Sequence, residues 1–92
     1  MTQDERDLVV KRVYREYWVA KRTLVALERS LEEIAATSSI TTKEGYLMYS
    51  PSGLRLLGSD HVREQVAQYH AERQHKETLR KRLIDLGEPD PE

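Results

Sequence analysis

The sequence has no cysteine, which excludes disulfide stapling and cysteine-based zinc sites. No apolar run exceeds four residues, far short of the roughly 20 that a membrane-spanning helix needs. The opening MTQDERD is acidic and lacks the apolar stretch of a secretory signal, so a cytoplasmic protein is expected. Charge of one sign is lacking too: 15 Lys+Arg stand against 16 Asp+Glu, a net −1. Phenylalanine is absent, and one tryptophan and five tyrosines are the only aromatic residues. What is present is 92 residues, 38% apolar and 34% charged, enough for one small domain with little core.

Residues 4–36 read as one long helix, with no Gly or Pro inside it. Val10, Val13, Tyr17, Ala20, Leu24, Leu27, Leu31 and Ile34 follow one another in alternating steps of three and four. That alternation is a heptad seam. Thr2 and Glu5 fit a capping box, and Asp4, Glu5 and Asp7 put negative charge where the helix dipole favours it. Leu8, Tyr14, Trp18 and Val25 widen the stripe beyond what one partner helix covers. Trp18 is the largest apolar group and marks a candidate subunit interface, the alternative being broad packing by a second helix.

Thr37-Ser38-Ser39 ends this helix in residues that compete for backbone hydrogen bonds. A connector over 40–58 has strand composition: Tyr46–Tyr49 and Leu54–Leu57 flank Ser50-Pro51-Ser52-Gly53, a type I turn signature, and suggest a short β-hairpin. Gly45 marks a bend into the first strand. Ser59 or Asp60 then caps a second helix over 60–86, apolar at its two ends and polar through His70–Thr78. Gly87 stops it, and residues 88–92 form an acidic tail expected to be flexible or extended. The expected fold is mainly α: a single helix–hairpin–helix domain over 1–87, closed as an antiparallel, coiled-coil-like helical hairpin.

Nothing assembles catalytic, cofactor or metal chemistry. His61, His70 and His75 are spaced so that no two imidazoles stack on one helical face. There is no nucleophile elbow, and Gly45, Gly53, Gly58 and Gly87 form neither a P-loop nor a dinucleotide fingerprint. The carboxylates sit mostly beside Lys or Arg, as on solvated helices. A protein that is not an enzyme, and that carries no cofactor or metal, is expected.

Charge placement says more than the net value. Lys11, Arg12, Arg15, Lys21 and Arg22 stand against Glu16 alone. Arg73, Lys76, Arg80, Lys81 and Arg82 stand against Glu72 and Glu77. An antiparallel pair brings both basic blocks to one end, where they could touch nucleic-acid phosphates; the alternative is an ordinary charged helix surface. Asp85, Glu88, Asp90 and Glu92, with the acidic N-terminus, cancel the charge overall.

One set of motifs rises above composition. Tyr14-x-x-Tyr17-Trp18 on a long helix is followed by Thr41 and then Gly45-Tyr46-Leu47-Met48-Tyr49-Ser50-Pro51-Ser52-Gly53. A second helix closes on Leu83-x-x-Leu86-Gly87-x-Pro89. Over about residues 4–91 this pattern resembles the phage small terminase subunit family. That family usually carries a DNA-binding region before its first long helix, and its closing segment usually ends in a small residue and Arg, where this chain has Asp90-Pro91-Glu92. The likeness is therefore to the oligomerisation part. It implies a homo-oligomeric ring that brings viral DNA to a large ATPase-nuclease subunit in the host cytoplasm. The order helix, hairpin, helix is also similar, more weakly, to the prefoldin chaperone subunits.

A self-associating adaptor is thus the leading expectation. Its interface would use Val13, Tyr14, Tyr17, Trp18, Leu24, Leu27 and Leu31. Phosphate contacts would fall to Arg73, Lys76, Arg80, Lys81 and Arg82. The alternatives are a small protein-binding module or inhibitor acting through the apolar face of the first helix, and a prefoldin-like holdase.

Overall fold

A computed structural model describes residues 1–41, 43–45 and 47–92, with Ile40, Thr41 and Leu47 described by their backbone. The chain runs α1 (Gln3–Ser38), β1 (Ser39–Thr41), β2 (Leu47–Tyr49), α2 (Pro51–Leu57) and α3 (Asp60–Asp85). It is a mainly α antiparallel helical hairpin with a short two-stranded connector. No helix among the described residues is long and apolar enough to cross a membrane.

Two compact units divide the chain. The first joins Met1–Leu24 to Ala71–Glu92. Here α1 begins as its sequence dictates, the Glu5 amide donating to Thr2 Oγ1 at 3.2 Å. Val13, Tyr17 and Ala20 of the heptad seam close on Leu79 and Leu83 of α3, and Val9, Tyr14 and Leu86 pack around them. Val13, Tyr17 and Leu83 are 0% exposed, so this small cluster is a dry core. At the end of α3 the Gly87 amide donates to the Ile84 carbonyl and the Glu88 amide to the Leu83 carbonyl, at 2.9 and 3.0 Å. This pair of bonds is the Schellman arrangement, and Gly87 takes the left-handed φ of +87° that it requires. Arg6 ties the same turn to α1, its guanidinium donating to the Leu86 carbonyl and pairing with Glu88.

The second unit is Val25–His70. Its helical segments run antiparallel: Ser30 Oγ donates to Gln65 at 3.1 Å, and Tyr69 OH donates to Glu28 at 3.1 Å. Val62 is buried, while Leu27, Leu31 and Ile34 are half-buried. α1 runs on through Ser38, with the Thr37 and Ser38 hydroxyls donating to the Glu33 and Ile34 carbonyls one turn back. The Ser59 hydroxyl accepts from the Val62 amide and so caps α3.

The hairpin exists, but its strands differ from those read in the sequence. β2 pairs antiparallel with β1, in the register Ser39 to Tyr49, Ile40 to Met48 and Thr41 to Leu47. Leu54–Leu57, expected as a strand, lies in α2. Ser50-Pro51-Ser52-Gly53 is the start of that helix: Ser50 is its N-cap, accepting from the Gly53 amide at 3.0 Å, and Pro51 occupies its first turn. The confusion has a physical source. A type I turn and a first helical turn share αR backbone, and Ser-Pro suits both. Tyr46, placed in the first strand by the sequence, lies outside the described residues.

Gly53 is buried against the backbone of α1's last residue. A Cβ there would meet the Ser38 carbonyl oxygen and lie 2.9 Å from its Cα. A Cβ on Gly58 would meet only ordinary contacts, the nearest at 3.5 Å. Gly53→Ala is therefore expected to cost about 1–3 kcal/mol in urea unfolding, as overpacking does. Gly58→Ala should leave stability unchanged or slightly raised. Equal behaviour of the two variants would contradict the close approach.

Candidate functional site

α3 places Arg73, Lys76, Glu77 and Arg80 on one face by their helical spacing. After the Gly87 turn, the last residues come back along that face. Arg80 grips Asp90 as a fork, Nε to Oδ1 at 2.8 Å and Nη2 to Oδ2 at 2.6 Å. Its third nitrogen, Nη1, donates to Glu77 at 3.0 Å. Lys76 Nζ lies 2.6 Å from Glu92 Oε1, and the Tyr17 hydroxyl donates to the same oxygen at 3.3 Å. The Asp90 carboxylate also accepts the Glu92 amide at 3.1 Å.

The match follows from chain geometry. The four helical steps from Lys76 to Arg80 rise about 6 Å. The two steps of extended chain from Asp90 to Glu92 cover about 6–7 Å. Pro89 and Pro91 keep this segment out of a helix. The tail, expected to be flexible or extended, is an extended segment held on α3 by two carboxylates at alternate positions.

The titrations follow from these contacts. The Arg80 fork, then the Glu92 amide, hold Asp90 down to about 2 from its ordinary 3.8. The Lys76 ammonium depresses Glu92, and the Glu92 carboxylate in turn raises Lys76. Burial, then the neighbouring Glu92 charge, pushes the Tyr17 phenol up. Arg80 is raised further by Asp90 and Glu77 and stays charged throughout. The group is a set of cations holding carboxylates, and its chemistry is anion binding.

The basic residues named from the sequence separate into two kinds. Lys76 and Arg80 are engaged by the chain's own carboxylates. Arg73, Lys81 and Arg82 are exposed and make no ion pair among the described residues. Both basic blocks do fall within the first unit. In the sequence Asp90 and Glu92 stand only as balancing charge. The signal that could have found them is a helix-stopping Gly87 followed by two carboxylates at alternate positions between prolines.

The residues named for an interface also separate. Val13, Tyr17 and Leu24 are buried within the chain, where they hold it together and offer no surface. Tyr14 packs half-buried on the core, and Leu27 and Leu31 are half-buried. Trp18 alone of the seven is exposed, at 45%. Its ring stands edge-on to Tyr17 at 5.7 Å, and Lys21 Nζ lies 4.9 Å from its centroid. Leu8 and Val19 of the same unit are also open to solvent, as is Val25 in the other. Beside Val19 an open cleft of about 250 Å³ is lined by Arg15, Glu16, Ala20, Thr23, Glu72 and His75. His61, His70 and His75 are exposed, and no group of three His, Asp or Glu among the described residues could hold a metal ion.

The pH response of the tail follows in sign. Asp90 and Glu92 have depressed values in the folded chain, so their contribution is present above the ordinary carboxylate range and lost as protonation overtakes them. Asp90 is expected to stay ionised at pH 4 and to titrate near pH 2, read from its side-chain carboxyl shift by NMR. A midpoint at its ordinary 3.8 would contradict the fork. No protein-family model, curated protein or solved structure matches the chain.

Proposed function

We propose that the protein is a non-enzymatic, self-associating adaptor of the small-terminase kind, in which copies meet through α1 and the basic end of the hairpin contacts DNA. The observation that carries this reading is the exposed Trp18, on a helix that also leaves Leu8 and Val19 open while Val13, Tyr17 and Ala20 of its seam are buried. An indole left nearly half open is a strong candidate anchor for a subunit contact, since large aromatic groups dominate interface energetics. The resemblance carried by Tyr14, Tyr17, Trp18 and the Leu83–Pro89 closure supports the same assignment. Under it, the natural partners are further copies of the chain, viral DNA and a large ATPase-nuclease subunit.

Within this reading, burial leaves fewer residues free for the role. Val13, Tyr17 and Leu24 build the chain's own fold, so Trp18, Leu8 and Val19 become the interface candidates. Arg73, Lys81 and Arg82 remain as open phosphate contacts.

Light scattering of the native chain is expected to give a multiple of the single-chain mass. Trp18→Ala should reduce that mass while leaving the helical circular dichroism intact, because the indole lies outside the buried core. Removal of an interface anchor of this kind costs about 2 kcal/mol or more of association free energy. A native single copy at high concentration would favour the protein-binding module, whose partner is a different chain.

A further inference from the structure

We propose that Lys76 and Arg80 form a phosphate-binding site for the nucleic-acid backbone, and that Asp90 and Glu92 occupy it as a built-in, displaceable competitor. This rests on the DNA-contacting role proposed above and adds the site and its control. A carboxylate fork on a guanidinium uses the same parallel N–H donors that grip two phosphate oxygens. The Asp90 oxygens, at 2.8 and 2.6 Å from Arg80, therefore stand where phosphate oxygens would stand. The Glu92 oxygen at 2.6 Å from Lys76 does the same one helical turn away. Beside the Lys76–Glu92 pair the surface opens into a cavity of about 280 Å³ lined by Arg73, Lys76, Glu77 and Glu92.

The spacing suits a repeating anion. Asp90 and Glu92 lie two steps apart on extended chain, a backbone span of about 6–7 Å, and their carboxylates sit on cations one helical turn apart. The side chains that hold the tail are only partly covered, Arg80 at 29% and Lys76 at 21% exposure, so an incoming polyanion can reach them. Exposed ion pairs of this kind are each worth little net free energy, and salt screens them, so the tail is held loosely enough to be exchanged. Glu77 stays on Arg80 Nη1 and orients the fork without filling it. Arg73, exposed at the cavity rim, supplies a further cation once the tail leaves.

Binding of a fluorescent 20-base-pair duplex to the full chain tests this at 50 and 200 mM salt. Asp90→Asn with Glu92→Gln is expected to bind more tightly than the native chain at the lower salt. Two added phosphate contacts should also deepen its loss of affinity between the two salts by about tenfold relative to native. Adding Lys76→Gln and Arg80→Gln to that variant should abolish the gain. Glu32→Gln with Glu33→Gln, which removes the same charge from the other unit, should not reproduce it. Native and tail variants that bind equally, with the same salt dependence, would overturn the competitor and leave the adaptor reading standing. Absence of duplex binding by every variant at 50 mM would overturn the DNA-contacting role and this site together. Unchanged helical circular dichroism in each variant keeps folding out of the comparison.

Discussion

The contact on which the rest depends is the closure of Val13, Tyr17 and Ala20 on Leu79 and Leu83. The chain has no disulfide to lend it stability, and few of its side chains are fully buried. Tyr17 serves this core twice. Its ring is shut from solvent within the cluster, and its hydroxyl reaches out to Glu92. The place where the tail lands is therefore fixed by the same side chain that fixes the helix pair. The Gly87 turn completes the arrangement by sending the chain back along α3 and by presenting the Leu86 carbonyl to Arg6.

Long, strongly periodic elements were legible in the sequence, and short ones much less so. The alternating three and four steps from Val10 through Leu24 mark α1 and its buried face, and Thr2, Ser59 and Gly87 mark caps that the structure uses. The Ser50–Gly53 stretch is ambiguous because turn and helix share their first dihedral angles, and in the fold it starts a helix whose Gly53 lies against Ser38. β1 carries no distinguishing local pattern: three residues, Ser39–Thr41, sit in a run of Ser and Thr. Their pairing with β2 is a matter of tertiary context, which propensity does not encode.

The candidate site was half legible. The basic residues of α3 stand out by number, yet their partners lie in a tail whose prolines say only that it is no helix. Sequence arithmetic treats Asp90 and Glu92 as a cancelling charge, whereas geometry makes them ligands of two particular cations. Trp18 shows the reverse case. The heptad pattern excludes it from the seam, and its exposure in the folded chain agrees with that exclusion. Tyr17, one residue earlier, was grouped with it as interface and is instead interior, because a rotation of about 100° per residue takes it to the opposite environment. Under the proposed reading, the open Trp18 face of α1 and the Lys76–Arg80 pair serve separate ends, self-association and phosphate binding.

The most direct test of this account uses the single tryptophan as its own reporter across a dilution series of the native chain. Self-association through α1 covers the indole, so Trp18 emission is expected to lie toward the blue at high concentration and to move red as the protein is diluted and the copies part. Emission that stays red and unchanged over the whole range would show the indole in water at every concentration, and would contradict the claim that α1 is built to meet its own kind.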